Sequence, residues 1–301
     1  MDIIGHKRER IALHEAFQEN RQAQAYVFSG PQSIGKSRCA LEYAALLAHE
    51  PDFVPTPDKP HPFDVSVVRP LQETKRGITK LKRIAAETIR EALMFLSVFP
   101  TGSGFRVLII EDAHLLSETA QNVLLKTLEE PQSTAVIILV THEEGALLST
   151  VRSRVRRVRF DFVPEAELRL ALEGKYDESS LGVIAPFFYA LGRPGMVLTA
   201  LAHPDDFIQD RELLGSLFRL STLTLTERMK LAETLAIHTG QTTRLLEWWL
   251  PGLHQQARTQ AEPRMLTKFF VLLEATEETL HLLKTTQSNA RLLLEKLFLS
   301  V

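Results

Sequence analysis

Three stretches in the first half of the chain are apolar at nearly every position: 25–28 (Ala-Tyr-Val-Phe), 106–110 (Arg-Val-Leu-Ile-Ile) and 135–140 (Ala-Val-Ile-Ile-Leu-Val). Val65-Ser66-Val67-Val68 is a shorter run of β-like character. Continuous apolar runs mark strands covered on both faces, the pattern of a parallel sheet whose crossovers are helices. The intervening segments supply those crossovers. Residues 38–48 contain no Gly or Pro, and over 78–99 Leu81, Ile84, Ala85, Ile89, Leu93 and Leu96 recur at helical spacing. A third helix is expected over 117–130, opening on Ser117, a good N-cap, and stopped by Pro131. An amphipathic helix is expected over 8–20, where Leu13, Ala16 and Phe17 share a face. Val158, Phe160 and Phe162 alternate with polar residues as a half-buried strand does. Prolines at 51, 55, 57, 60 and 62 exclude a regular element there.

Beyond Pro164 the pattern changes to helix and loop. Helices are expected over 165–173, 181–191 and 196–201, with Gly192-Arg193-Pro194-Gly195 a turn and His203-Pro204-Asp205-Asp206 a linker. Leucine-rich segments over 212–301, with Trp248 and Trp249, predict a packed helical domain without a catalytic cluster, which suits assembly.

The 301 residues, 45% hydrophobic and 24% charged, suffice for two or three globular domains. A net charge of -2 gives no overall cationic field, so contact with nucleic acid requires a local patch or a partner chain. No apolar run reaches bilayer-spanning length, and the start, Met1-Asp2-Ile3-Ile4-Gly5-His6-Lys7, lacks a signal-peptide core. The expected compartment is the cytoplasm, with no membrane partner. Cys39, the one cysteine, excludes an internal disulfide framework and reads as a small core residue rather than a redox sensor.

Candidate chemistry concentrates after the first apolar run. Gly30, Gly35, Lys36 and Ser37 satisfy G-x-x-x-x-G-K-[ST], a phosphate-binding loop between strand and helix, against which stands a chance Gly-Lys-Ser turn. Backbone N–H groups over Gly30, Pro31, Gln32, Ser33, Ile34, Gly35, Lys36 and Ser37 would cradle phosphates, with Lys36 reaching the β and γ groups and the Ser37 hydroxyl on Mg²⁺. The second apolar run ends in Glu111-Asp112-Ala113-His114. Buried carboxylates are costly unless they face a cation, so the pair reads as metal and water chemistry, or as solvated acids opening a loop. At the end of the third run, Thr141 or His142 could touch a γ-phosphate or be plain loop chemistry. Arg152, Arg154, Arg156, Arg157 and Arg159 make a local positive strip or a solvated strand edge.

Taken together, Ile4-Gly5-His6, the loop through Gly35-Lys36-Ser37, Ile110-Glu111-Asp112-Ala113-His114 and the long segment Ala120 to Pro131 closing on Leu-Glu-Glu-Pro resemble the clamp-loader branch of the AAA+ ATPases. Within it, the resemblance is to the delta-prime family of bacterial DNA polymerase III, including Ser153-Arg154 and a collar-like helix at Asn289-Ala290-Arg291-Leu292. The resemblance implies a P-loop AAA+ α/β nucleotide-binding domain with a parallel sheet over 1–162, a small helical lid over 163–207 and an all-α collar over 208–301. It implies ATP and Mg²⁺ as cofactors, with Ser37 and Glu111 on the metal and Asp112 positioning water. Arg154 would act as an arginine finger in trans. The implied partners are other clamp-loader subunits in a five-membered ring and, through the complex, a sliding clamp and primed DNA.

Five departures qualify this. The family's zinc module needs four cysteines, so no zinc is expected here; Ser33 replaces a glycine, at a cost of about 1 kcal/mol if φ must be positive. The family's active ATPases read Asp-Glu where this chain reads Glu111-Asp112, and the second-sensor arginine aligns at Gly195, two positions from Arg193. Val155 replaces the motif cysteine. These departures favour a stator with weak or absent turnover over the alternative, an independently hydrolysing AAA+ ATPase such as the clamp-loader motor subunit.

Overall fold

The computed structural model describes residues 3–53, 60–75, 78–173, 175–176, 192–202, 204–259, 262–286 and 288–300. By its contacts the chain divides into a first unit, 1–72, 81–172 and 192–195, and a second, 73–80, 173–191 and 196–301.

The first unit holds a five-stranded parallel sheet in the order β2-β5-β6-β1-β7, where β1 is Ala25–Ser29, β2 Val65–Val68, β5 Arg106–Ile110, β6 Ala135–Thr141 and β7 Arg156–Arg159. Every residue of β1, β5 and β6 is buried. The alternation of side chains explains the continuous apolar runs. Val27, Leu108, Ile137 and Leu139 point to one face, packed by α3 (Ala86–Leu96) and α4 (Glu118–Glu129). Phe28, Val107, Ile138 and Val140 point to the other, with Leu13 of α1 (Lys7–Gln18) and Cys39, Ala40 and Tyr43 of α2 (Lys36–Leu47). Ser117 caps α4 by accepting from the backbone N–H of Ala120 at 3.1 Å, as its residue type predicts.

The helix expected over 78–99 is in fact two elements. Ile78–Leu81 is a strand, β4, paired with β3 (Gln72–Lys75) in a separate two-stranded sheet, and the helix begins only at Ala86. β-branched Ile78 and Thr79 suit a strand, and the apolar spacing of Leu81, Ile84 and Ala85 does not discriminate between the two readings. Ile84 instead bridges to Leu116. Of the Pro-rich stretch, 54–59 lie outside the described residues, and the described remainder contains no helix or strand.

A short helix, α5 (Ser149–Arg152), precedes β7, and α6 (Glu165–Leu172) and α7 (Pro194–Ala202) follow it. The helix expected over 181–191 lies outside the described residues. The expected turn at 192–195 ends sooner, because Pro194 opens α7, where its missing N–H costs nothing. The expected linker is likewise helical. α8 runs Pro204–Phe218, again with Pro at its start. His203 lies outside the described residues.

The second unit continues with α9 (Leu225–Ala236), α10 (Thr239–Thr259), α11 (Pro263–Thr285) and α12 (Ala290–Leu299). Trp249 is buried, and the fully buried Asp210 is held by Arg244 at 2.5 and 2.9 Å and by Gln241 at 2.6 Å. No helix of the described residues is long and apolar enough to cross a membrane.

Ser117→Ala, which deletes the α4 cap but no core atoms, is expected to lower the unfolding free energy by about 1 kcal/mol, read as a lower urea midpoint at unchanged slope.

Candidate functional site

Parallel pairing sets the strand ends level. Ser29 is opposite Thr141, and Ile110 opposite Leu139 and Val68. The segments leaving β1, β5 and β6 therefore emerge at one edge of the sheet, where open α/β sheets bind ligands.

The loop after β1 runs Gly30 to Gly35 before α2. Gly30 has φ 147° and passes so close to β7 that a Cβ would sit 2.1 Å from the Phe160 carbonyl oxygen. No other residue fits there. Ser33 adopts φ 61°, the positive φ that makes serine costlier than glycine by about 1 kcal/mol. His6 Nε2 lies 2.8 Å from the Ile34 carbonyl, tying the N-terminal segment to the loop. Lys36 folds its ammonium back onto the loop, donating to the Gly30 carbonyl at 2.8 Å and the Pro31 carbonyl at 2.5 Å. Burial, then the charge of Arg193, push its pKa down to about 8, while Asp112 acts in the opposite direction.

Arg193 is the residue on which sequence reasoning was furthest off. Gly195, where the family's arginine aligns, has no room for a side chain, because a Cβ would lie 2.8 Å from the Ser33 carbonyl oxygen. Two residues earlier, Arg193 donates to the Gln32 carbonyl at 3.2 Å and stacks 5.4 Å from the Phe162 ring. Burial lowers its pKa to about 10. The chain thus brings an arginine to the phosphate-loop backbone from an offset position.

The two acids after β5 part company. Glu111 is forked by Arg69, which donates from Nε at 3.0 Å and from Nη2 at 3.3 Å. Asp112, at φ 47°, turns toward Lys36, and burial raises its pKa. His114 lies edge-on to His142 with ring centroids 4.1 Å apart, and its Nδ1 is 3.4 Å from the Thr141 hydroxyl. Gln121 of α4 holds both loops: its amide donates to the Leu116 and Ala146 carbonyls, and its oxygen accepts from Leu148 N–H at 2.7 Å. Ser37 is half-buried at the start of α2.

Arg154 is elsewhere. Arg154 lies in the turn before β7, which begins at Arg156 level with Tyr26, four residues short of Gly30 or about 13 Å at about 3.3 Å per residue, so it stands at the end of the strands opposite the phosphate loop. It is exposed, pairs with Glu129 at 2.8 Å and donates to the Thr150 carbonyl at 3.0 Å. Of the neighbouring arginines, Arg157 pairs with Glu144 and Arg159 with Asp161. Cys39 is buried, and burial pushes its thiol up to about 12, which fits a core residue.

Sequence reasoning did not single out Arg69, Gln121 or the role of His114. Gln121 carried a signal, lying in the quoted Ala120 to Pro131 segment; Arg69 carried none.

Residues 5–164 match the family described as DNA polymerase III, delta subunit. The chain is 28% identical over 208 residues to the DNA polymerase III subunit gamma of Buchnera aphidicola subsp. Schizaphis graminum, covering 67% of this chain and 57% of that protein. It is 26% identical over 301 residues to the DNA polymerase III subunit tau of Escherichia coli, covering 91% of this chain and 46% of that protein. The chain thus spans about half the length of these curated relatives. Among solved structures, a DNA polymerase III, gamma subunit-related protein from Thermotoga maritima aligns over 95% of this chain and 97% of its own, with TM-score 0.51 and 18% identity, a likeness of fold.

The lowered Lys36 pKa has a consequence for stability. The unfolded lysine, near 10.5, binds a proton that the folded one has released above about 8, so the Lys36 contribution to stability rises with pH across that window. Urea midpoints of the native chain, compared with Lys36→Met, should therefore gain on the variant between pH 8 and pH 10; a constant difference would contradict it.

Proposed function

The chain belongs to the DNA polymerase III delta-subunit family, in the clamp-loader branch of the AAA+ proteins, and from that premise we propose that it serves as a delta-prime-like stator of a bacterial clamp loader. In this reading residues 1–162 form the nucleotide-binding domain, 163–207 the lid and 208–301 the collar that joins a five-membered ring acting on a sliding clamp and primed DNA. The observation that carries it is the position of Arg154, an exposed guanidinium in the turn before β7, at the end of the strands opposite its own phosphate loop. An arginine so placed serves a neighbour's phosphates rather than its own. Its guanidinium keeps its charge and forks onto two oxygens, and to do so it exchanges the Glu129 carboxylate for phosphate.

The loop from Gly30 to Ser37 fits a phosphate group: its backbone curves through positive φ at Gly30, Ser33 and Gly35, and Lys36 is within the loop. Mg²⁺, when bound with ATP, would screen the phosphate charge and be held by the Ser37 hydroxyl and an acid from the end of β5. Here the fit is poorer, since Glu111 is engaged by Arg69 and the acid facing Lys36 is the shorter Asp112. Weak turnover follows. One observation favours the alternative of an independently hydrolysing ATPase: Arg193 reaches the loop backbone, close to where nucleotide phosphates would lie.

Arg154→Ala is expected to cut hydrolysis at the adjoining site by about 10³-fold or more, as loss of an arginine finger does elsewhere, while the complex still assembles. The assay requires a reconstituted loader in which the other sites are disabled. Unchanged turnover in an assembled complex would reduce Arg154 to a surface ion pair.

A further inference from the structure

We propose that Asp112, His114 and His142 form a binding site for one borderline divalent cation of the Zn²⁺, Co²⁺ or Ni²⁺ class. The site shares Asp112 with the nucleotide reading but does not require a nucleotide, and it is separate from the cysteine zinc module whose absence the sequence implies. It rests on convergence. Asp112 and His114 follow β5, His142 follows β6, and the parallel register brings the two loops side by side. One donor atom from each of the three lies within 4.8 Å of the other two, and Asp112 Oδ1 is 3.9 Å from His142 Nδ1.

The donor set selects the ion. Two imidazoles and a carboxylate suit Zn²⁺, Co²⁺ and Ni²⁺, whereas Mg²⁺ prefers an all-oxygen octahedron. Bonds of about 2.0–2.2 Å place tetrahedral donors about 3.3 Å apart, so small side-chain rotations close the observed spacing. An outer group is already in place. The Thr141 hydroxyl, which accepts from Glu143 N–H at 3.0 Å, lies 3.4 Å from His114 Nδ1 and so directs Nε2 of that ring to the ion. The simpler reading, two histidines in edge-on contact at a sheet edge, accounts for the rings but not for the Asp112 carboxylate standing within 4.8 Å of a donor atom on each of them. A cation bound here would cancel the Asp112 charge that faces Lys36 and fasten the β5 and β6 loops together.

Co²⁺ alone is the probe, titrated into the full chain after removal of any affinity tag and chelation of trace metal. One equivalent should bind with visible ligand-field bands, displaced by Zn²⁺ and not by Mg²⁺. The double variant His114→Ala/His142→Ala, shown to be folded by circular dichroism, should lose that equivalent, and His238→Ala should keep it. Thr141→Val should weaken binding about 10-fold through its loss as an orienting partner. Asp112→Asn, which keeps the side-chain volume, must also lower the affinity, so the test survives if the double variant misfolds. Absence of a stoichiometric equivalent in the native chain, or unchanged binding in the double variant or in Asp112→Asn, overturns the site.

Discussion

Parallel pairing of β1, β5 and β6 is the constraint on which the rest of the α/β unit depends. All three strands are buried on both faces, so the one charged residue among them, Arg106 at the start of β5, is held by Asp64 and the Phe95 carbonyl, and the remaining charged chemistry waits until the strands leave the sheet. Because the strands run the same way in register, they leave at one edge. The phosphate-binding loop, the Glu111-Asp112 pair and the Thr141-His142 pair are neighbours for that reason alone. Gly30 tightens the arrangement, since its contact with the Phe160 carbonyl sets how closely the loop follows β7. The opposite edge receives Arg154 by the same logic.

At the loaded edge, charges are arranged by competition. Lys36 is nearly dehydrated, and the loop carbonyls of Gly30 and Pro31 meet its ammonium; Arg193, drawn in by the Gln32 carbonyl and the Phe162 ring, pushes against it. An entering phosphate would relieve both cations, which is the physical case for anion binding. The Arg69 fork on Glu111 is a different matter. Its guanidinium is largely exposed, and pairs of that kind are worth about 0–1 kcal/mol, so the fork biases Glu111 away from a metal without forbidding it. The shorter reach of Asp112 is the firmer obstacle to turnover, because no side-chain rotation restores a methylene.

Much of this was legible in the residues. Strands buried on both faces leave an unbroken apolar signature, and a phosphate loop must carry its glycines at fixed offsets, so 25–37, 106–112 and 135–141 declared themselves. The α4 helix announced both ends through Ser117 and Pro131. What escaped was whatever depended on a partner distant in sequence. Strand β4 is stabilised by β3, whose residues Gln72-Glu73-Thr74-Lys75 carry no apolar pattern, while Leu81 and Ile84 happened to suit a helix as well. Arg193 was read as two positions adrift because alignment counts residues, whereas the start of α7 at Pro194 and the tight approach of Gly195 to Ser33 decide which side chain reaches the loop. The meeting of His114 with His142 follows from β5 and β6 being neighbours, which no local pattern records.

The central claim is that this chain offers phosphate-binding backbone without efficient water activation and contributes to catalysis from its far edge. ATP hydrolysis by the purified, isolated chain tests it most directly. Slow or undetectable turnover is predicted, little changed by Lys36→Ala. Turnover as fast as that of an assembled loader, abolished by Lys36→Ala, would contradict the account and make this chain a motor in its own right.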